Sequence, residues 1–176
     1  MIDLETTDNF AWRVFDQIGI KPTKRKTLLS IGSRPSSRDY ILTWFIEQGF
    51  NATILEVYKP YVEQLRSKGF NVIEGDVRTT ELGEYDIIVW WHGPEHITIL
   101  EGIEVTKKLK GLAKEALIYC VPWGEMASPA VDGNNANIHL ASYEPMDFLG
   151  LGMKEAHWGM TGVANAKIIG WWKQPD

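Results

Sequence analysis

The segment Thr27–Tyr58 constrains the fold more than any other part of this 176-residue chain. It starts with a short apolar run, Thr27–Ile31, which is typical of a strand covered on both faces, and a glycine follows directly. Apolar residues then recur with helical spacing up to Gly49, which predicts a helix with a glycine C-cap. A second apolar run, Ala52–Leu55, leads to Glu56. The pattern predicts a right-handed βαβ unit whose two strands are parallel neighbours.

Gly32 and Glu56 fall at the carboxyl ends of these two predicted strands, where open α/β sheets bind their ligands. A glycine there lets the backbone approach a ligand closely and exposes helix N-terminal amides. A carboxylate at the tip of the second strand can accept both hydroxyls of a ribose. The pair indicates a cofactor that contains a nucleoside. The alternative is a tight turn followed by a solvated glutamate.

The rest of the chain continues the alternation of strands and helices. The later predicted strands are Asn71–Glu74, Tyr85–Trp91, Ala116–Val121, Met153–Trp158 and Ala166–Trp172, and the later predicted helices are Lys59–Lys68, Glu95–Lys110 and Tyr143–Leu149. Together they predict an α/β fold with a Rossmann-like, seven-stranded mixed sheet. Five parallel strands, an antiparallel C-terminal pair and helices on both faces are expected.

Two further segments flank this pattern and are expected to close over a substrate. Residues 1–26 are expected to hold a helix, Phe10–Ile18, capped by Thr7–Asn9, and then a basic linker, Lys21–Lys26. Residues 27–176 are expected to form a single domain, because the chain length suits one core. The polar segment Glu125–Asn137 is predicted to be a long loop, and such loops are often functional.

Composition excludes several classes of protein. The net charge of −5 disfavours a broad surface that binds nucleic acid. Cys120 is the single cysteine and lies in an apolar run, which predicts a buried thiol without a disulfide, as in a reducing cytoplasm. No apolar run has the length needed to span a bilayer, and the N-terminus lacks the features of a signal peptide. We therefore expect a cytoplasmic protein without a membrane partner.

The segment Thr27–Lys173 resembles the class I S-adenosylmethionine-dependent methyltransferases of the small-molecule type. LLSIG (Leu28–Gly32) is similar to the first motif of that family, and GDV (Gly75–Val77) is similar to the motif that contacts the adenine. YDIIVWWHGPEHI (Tyr85–Ile97) resembles the fourth-strand motif. HLASYEPMDF (His139–Phe148) resembles the stretch before the sixth strand. Each motif is weakly specific by itself, and the resemblance rests on their order and spacing.

The resemblance implies an enzyme that transfers a methyl group from S-adenosylmethionine (SAM) to an oxygen or nitrogen of a small-molecule acceptor. Glu56 matches the ribose ligand of that family, Asp76 the residue that contacts the adenine amine, and Val77 the amide that contacts the ring. The expected cofactor-binding residues are Gly32, Ser33, Arg34, Glu56, Val57, Asp76, Val77, Trp91 and His92.

The turn after the first strand departs from the family pattern, because Ser33, Arg34 and Pro35 stand where further glycines are usual. A sulfonium amino acid has no phosphate to bind, so one glycine with hydroxyl groups can serve. Arg34 can instead crowd the methionine end of the cofactor. Two alternatives stay open: a non-catalytic or repurposed module that binds SAM or a nucleotide, and a nicotinamide- or nucleotide-dependent enzyme on a doubly wound sheet. The missing glycines of the pyrophosphate fingerprint disfavour the latter.

His92, Glu95 and His96 cluster at the end of the fourth predicted strand, and His139 follows the fifth. These four residues are the candidate catalytic groups, since methyl transfer requires alignment of the reactants and can require a general base. Their spacing also resembles the Glu/Glu/His/His magnesium site of small-RNA 2′-O-methyltransferases and metal-dependent quinone-ring O-methyltransferases, with His92 in place of a glutamate. That change would favour zinc over a harder ion. Structural hydrogen bonds are the alternative role for each residue, and no resident metal is predicted.

Tryptophans supply a possible aromatic wall for the crevice. Trp90 and Trp91 alternate along the fourth strand, so one is expected to pack under a helix and the other to face the crevice. Trp123 lies just past the fifth predicted strand, at the same edge of the sheet. Packing in the core is the alternative for each of them.

Overall fold

Short apolar strands form the centre of the protein, as the periodicity predicts. The structure is a computed structural model that describes residues 14–20, 26–35, 40–163 and 165–175, with only the backbone at positions 40 and 41. Its described strands form one seven-stranded sheet in the order β3-β2-β1-β4-β5-β7-β6. The strands are β1 (Thr27–Ile31), β2 (Asn51–Glu56), β3 (Asn71–Glu74), β4 (Tyr85–Trp91), β5 (Ala113–Pro122), β6 (Lys154–Trp158) and β7 (Lys167–Lys173).

Strands β1–β5 run parallel, and β7 pairs antiparallel with both β5 and β6. The predicted mixed sheet with an antiparallel C-terminal pair is confirmed. After β3 the chain crosses to the far side of β1, so the strand order reverses between β1 and β4. The carboxyl ends of these strands therefore form the crevice in which open α/β sheets bind their ligands.

Helices cover both faces of the sheet. They are α1 (Tyr40–Glu47), α2 (Lys59–Ser67), α3 (Ile99–Leu112) and α4 (Pro145–Gly150), and residues 14–18 are also helical. Leu28 packs in one buried cluster and Leu29 in another, because successive strand residues point to opposite faces. The first cluster takes apolar residues from residues 14–18, α1 and α2, and the second takes them from α3 and α4.

Local capping moves the predicted helix Glu95–Lys110 from its expected bounds. Residues Pro94–His96 form a separate 3-10 turn, and α3 begins only after Thr98. Thr98 accepts a hydrogen bond from the N–H of Glu101 at 3.3 Å, and the Glu101 carboxylate accepts the Thr98 N–H at 2.9 Å. This capping box fixes the start of α3, which then continues past its predicted end at Lys110 to Leu112.

Some predictions fall on residues that the structure does not describe. The caps Thr7–Asn9, the start of the N-terminal helix, residues 36 and 37, and most of the linker Lys21–Lys26 lie outside the described residues. The division of the chain at residue 26 and a cytoplasmic location stay predictions. Cys120 is fully buried, as expected, and burial raises the pKa of its thiol far above the usual range. None of the described helices has the length and apolar character that crossing a membrane requires.

Candidate functional site

Two adjoining cavities open at the carboxyl ends of the parallel strands. The cavity beside β2, here the β2 cavity, has a volume of about 370 Å³ and is lined by Glu56 and Asp76, among others. The cavity beside β4, here the β4 cavity, has a volume of about 340 Å³ and is lined by Glu95 and His139, among others. The two cavities share six wall residues: Ile31, Gly32, Arg34, His92, His96 and Asn137.

Gly32 forms the turn directly after β1 and is part of the shared wall. Its φ of +76° lies in the left-handed region that favours glycine, and its N–H donates to the Leu55 carbonyl at 2.9 Å. A Cβ added at this position would meet no described atom within 4 Å. Ser33 next to it is buried, and its hydroxyl lies 3.0 Å from that of Ser30. The turn therefore exposes backbone to an open space, as a close-fitting ligand requires.

Glu56 is a buried carboxyl group in the wall of the β2 cavity. Its Oε1 accepts a hydrogen bond from the Tyr58 N–H at 2.8 Å. Burial raises its pKa to about 7, against the opposing effect of the backbone hydrogen bonds from Tyr58 and Val57. The carboxyl group is thus poised between its neutral and charged forms near neutral pH. Donors from a ligand would favour the charged form.

Asp76 lines the same cavity but already has a charged partner. The Arg78 guanidinium donates to both of its carboxylate oxygens, at 3.0 Å from Nε to Oδ1 and at 2.6 Å from Nη2 to Oδ2. The backbone N–H of Arg78 donates to Oδ1 as well, at 2.9 Å. These hydrogen bonds hold the pKa of Asp76 below its ordinary value. Any contact with an adenine amine would have to share these oxygens with Arg78. Val77 is buried beside it, whereas Val57 is exposed.

The loop predicted over Glu125–Asn137 is fastened to the crevice through Asp132. The Asp132 carboxylate accepts hydrogen bonds from Arg34 at 3.1 Å and from the Tyr61 hydroxyl at 2.5 Å, and its backbone carbonyl accepts one from the Tyr58 hydroxyl at 2.9 Å. Residues 134–137 of the same loop line the β2 cavity. Arg34 therefore reaches both cavities while it is ion-paired with the loop.

The four candidate catalytic residues come together at the end of β4. His92 Nδ1 lies 3.3 Å from Glu95 Oε1, and His139 Nε2 lies 4.0 Å from the same oxygen. The rings of His96 and His139 are 5.0 Å apart between centroids. Glu95 is 2% exposed, and its Oε2 accepts no hydrogen bond from any described residue. A buried carboxylate with an unsatisfied oxygen is costly, so this residue requires an explanation.

Backbone carbonyls orient two of the histidines. His96 Nδ1 lies 3.3 Å from the Ile138 carbonyl, and His139 Nδ1 lies 2.6 Å from the Met126 carbonyl. A carbonyl oxygen only accepts, so these contacts place the proton of each neutral ring on Nδ1 and leave the Nε2 lone pair available. Burial lowers the pKa of His96, which favours the neutral ring at pH 7.

His92 is held in an unusual backbone conformation. Its φ of +51° lies in the left-handed region, which is costly for a residue with a Cβ. Its N–H donates to the Cys120 carbonyl at 2.8 Å, so the strand pairing continues up to this residue. The chain turns sharply here and places the imidazole in the wall that the two cavities share.

Trp90 and Trp91 alternate along β4, but both reach the crevice, and not only one as predicted. Trp90 is buried, with its ring 5.4 Å from that of Tyr119, and it lines the β2 cavity, whereas Trp91 lines the β4 cavity. Trp123 instead packs against His157, with 4.5 Å between ring centroids, and donates to Glu144 at 2.6 Å. The aromatic wall of the β4 cavity is therefore built by Trp91.

Lys167 is a residue of the β4 cavity that the sequence interpretation missed. It is the first residue of β7 and pairs with Pro122, the last residue of β5. Because β7 is antiparallel, its first residue lies at the edge where the parallel strands end. The antiparallel assignment was itself a signal that could have located this lysine. Ser128 and Asn137 were likewise missed, and both come from the long loop.

Comparisons with known proteins extend the fold assignment. No protein-family model matches the chain, and no curated protein matches its sequence. Among solved structures, magnesium protoporphyrin IX methyltransferase (ChlM) from Synechocystis PCC 6803 with bound SAH is 16% identical, with a TM-score of 0.65 and coverage of 94% of this chain and 80% of that one. CalS10, a SAM-bound amino pentose methyltransferase from Micromonospora echinaspora, is 13% identical, with a TM-score of 0.61 and coverage of 96% and 92%.

A Rhodobacter sphaeroides protein, provisionally described as a Zn-dependent alcohol dehydrogenase, is 10% identical, with a TM-score of 0.67 and coverage of 93% of this chain and 90% of that one. Identities this low carry the fold and not the activity. The chain has the fold of the class I SAM-dependent methyltransferases, as its motifs predicted.

Proposed function

We propose that this protein transfers a methyl group from SAM to a small-molecule acceptor. The observation that carries the proposal is the pair of adjoining cavities, which meet at Gly32, His92 and His96. Transfer between two bound molecules requires two sites in contact, and the shared wall supplies that contact. When bound, SAM would supply a methyl group attached to a positively charged sulfur.

The β2 cavity suits the cofactor. Its volume of about 370 Å³ falls in the usual range for small-molecule sites, about 300–1,000 Å³. Glu56 would accept the ribose hydroxyls, and Asp76 with Val77 would bind the adenine edge. The exposed backbone at Gly32 would lie against the methionine part, together with Arg34, where the two cavities join, and Ser33 would lie on the β4 side of that part.

His92 is the group we assign as proton acceptor, with Glu95 as its positioning residue. The Glu95 carboxylate faces Nδ1 of His92 at 3.3 Å, so a proton on Nδ1 leaves Nε2 as the basic nitrogen. The same carboxylate stabilises the ring once it has gained a proton, as in other histidine–carboxylate pairs. His92 also lines both cavities, so it can reach an acceptor placed beside the cofactor.

The β4 cavity indicates the kind of acceptor. Its volume of about 340 Å³ suits a small molecule, and the cations Arg34 and Lys167 both line it. Trp91 adds an aromatic surface to the same wall. We therefore expect a small, flat acceptor that carries a negative charge or an ionisable hydroxyl group. Methylation of a folded macromolecule would contradict this part of the proposal.

A second candidate, a module that binds SAM or a nucleotide without catalysis, is favoured by two ion pairs. Arg78 is ion-paired with Asp76, and Asp132 with Arg34, so two of the expected cofactor ligands already have partners. If these pairs persist in solution, the cofactor would bind weakly. The two candidates therefore differ in the affinity for SAM and in turnover.

Calorimetric titration with SAM, SAH and NAD tests the proposal. We expect micromolar binding of SAM and SAH and none of NAD. Glu56→Gln should weaken SAM binding by more than about 100-fold, because each hydrogen bond to a charged group contributes about 1.5–3 kcal/mol. Glu74→Gln is the matched control, since Glu74 pairs in register with Glu56 on the next strand but is exposed. Absence of SAM and SAH binding by the folded protein would contradict the proposal.

A screen for the acceptor follows once the cofactor is established. A panel of small phenols, carboxylic acids and amines is incubated with the protein and SAM, and the formation of SAH is measured. Turnover that needs His92 supports methyl transfer. SAM binding with no turnover on any small acceptor supports the non-catalytic module.

A further inference from the structure

We propose that Glu95, His96 and His139 bind one divalent transition-metal ion, of which zinc is the best match. One ligand atom from each residue lies within 4.8 Å of the others. In a tetrahedral zinc site with bonds of 2.0–2.1 Å, ligand atoms lie about 3.4 Å apart. Side-chain movements of about 1 Å would close this triad around an ion, a distance that rotamer adjustment can supply.

The unsatisfied oxygen of Glu95 points to a missing cationic partner. The residue is 2% exposed, and its Oε2 accepts no hydrogen bond from the described part of the chain. Its Oε1 faces His92 at 3.3 Å, so the two oxygens have different surroundings. A buried carboxylate of this kind is stabilised when it coordinates a metal.

The hydrogen bonds of the two histidines are those of metal ligands. Metal-binding histidines almost always donate their second ring N–H to a carbonyl or carboxylate, which fixes the tautomer and the ring orientation. His96 and His139 both have Nδ1 at a backbone carbonyl, of Ile138 and Met126 respectively. Each ring therefore presents Nε2 with a free lone pair.

The backbone holds the three residues together before any ion binds. The Glu95 carbonyl accepts hydrogen bonds from the N–H groups of Leu140 at 2.8 Å and Ala141 at 3.1 Å. These bonds fasten the segment that carries His139 to the turn Pro94–His96. A site of this kind loses little conformational entropy on binding, because its ligands are already positioned.

The ligand set selects the metal. Two imidazoles and one carboxylate suit zinc and its neighbours cobalt, nickel and iron. Magnesium and calcium prefer oxygen ligands, and the triad provides them with a single side-chain carboxylate. We therefore expect zinc to bind far more tightly than magnesium.

Three protein ligands leave one coordination position for another molecule, which is typical of catalytic zinc sites. All three residues also line the β4 cavity. If the proposed function holds, on which this step rests, an oxygen of the acceptor would occupy the fourth position. A metal-bound hydroxyl group loses its proton more readily, and this would assist His92.

Direct metal binding tests the proposal without SAM or an acceptor. The full chain is stripped with a chelator and titrated with Zn²⁺ in competition with a chromophoric chelator. We expect one Zn²⁺ per chain and a loss of affinity of more than about 100-fold in His139→Ala, the upper end of what removing an outer partner of a ligand costs. His157→Ala is the matched control, because His157 also lies beside a carboxylate, Glu155 at 3.0 Å, but on β6. It should bind Zn²⁺ like the wild type.

Two further measurements keep the outcome decisive. Co²⁺ in place of Zn²⁺ should give the intense visible bands of a tetrahedral ion, and these should disappear in His96→Gln. Zn²⁺ should also raise the melting temperature of the wild type. This measurement reports binding without any variant, so it holds even if a variant folds poorly. Zinc affinity that is equal in wild type and His139→Ala, or a preference for Mg²⁺, would overturn the proposal. Zinc binding without SAM binding would instead contradict only the proposed function.

Discussion

Glu56 and Glu95 are two buried glutamates at the same edge of the sheet, one on either side of β1. Glu56 has a backbone N–H as its partner, and burial raises its pKa to about 7. Glu95 lies among histidines and has one oxygen without a described donor. Burial alone therefore does not assign a role to either residue. Neutral surroundings prepare Glu56 to accept hydroxyl groups, whereas basic surroundings prepare Glu95 to orient a base and to bind a cation.

Loss of the Glu95 charge should reduce turnover more strongly than any other change described below, and it should leave SAM binding intact. Glu95→Gln keeps the size of the side chain but removes its charge, so His92 loses the group that orients and stabilises it. We expect turnover to fall by about 10²- to 10⁴-fold, the usual contribution of general acid–base catalysis. The affinity for SAM should change less than about twofold, since Glu95 lines the β4 cavity and not the β2 cavity. Initial rates and calorimetry measure the two quantities.

Glu104→Gln controls for the loss of a negative charge, because Glu104 is exposed on α3. Its turnover should match the wild type. A profile of turnover against pH adds a readout that a merely structural role would not move: the acidic limb, on which a proton acceptor becomes protonated and turnover falls, should shift or vanish in Glu95→Gln. If Glu95→Gln weakened SAM binding as much as Glu56→Gln, the division between the two cavities would be wrong.

The second prediction is that Glu56 makes the free energy of unfolding depend on pH. Its folded-state pKa of about 7 lies above its ordinary value of 4.5. The folded chain therefore retains a proton that the unfolded chain releases between these values, so the free energy of unfolding falls as pH rises from about 4.5 to 7. The difference amounts to about 3 kcal/mol at most. Glu56→Gln cannot ionise, so it should be more stable than the wild type at pH 8 and similar at pH 4.5.

Urea unfolding at pH 4.5 and pH 8 measures this difference, and Glu74→Gln should show no such gain. Added SAM should act in the opposite direction on the wild type, because hydroxyl donors favour the charged carboxylate. Its affinity should therefore rise with pH up to about 7 and then level. A wild-type stability that rises over this pH range would contradict the assigned surroundings of Glu56.

Features that depend on short sequence spacing could be predicted for both glutamates. The βαβ pattern placed Gly32 and Glu56 at strand ends, and the separation of His92, Glu95 and His96 placed all three after β4. The mixed sheet followed from the order of apolar runs. Each of these predictions depends on residues a few positions apart, for which the periods of strand and helix suffice.

Features that depend on side-chain conformation or on distant partners could not be predicted. Asp76 carries the expected position, yet its ion pair with Arg78 depends on side-chain conformation. The hydrogen bonds that join residues 140 and 141 to Glu95 connect segments some 45 positions apart, and no local sequence pattern predicts them. The predicted start of α3 was wrong for a different reason: the interpretation began the helix at Glu95 and missed the local T-x-x-E signal of the capping box at Thr98.

The last prediction concerns the backbone conformation of His92 and its effect on stability. Its φ of +51° favours glycine, whereas glycine in an ordinary extended strand is less stable than alanine by about 0.5–1 kcal/mol. His92→Ala and His92→Gly both remove the imidazole and its contact with Glu95, so their difference isolates the backbone. We expect His92→Gly to be the more stable by about 1 kcal/mol, and Lys154→Gly to be less stable than Lys154→Ala on the exposed strand β6. Urea unfolding measures both pairs. If the difference in stability between the glycine and alanine variants had the same sign at positions 92 and 154, β4 would end without backbone strain. The placement of His92 between the cavities would then need another cause.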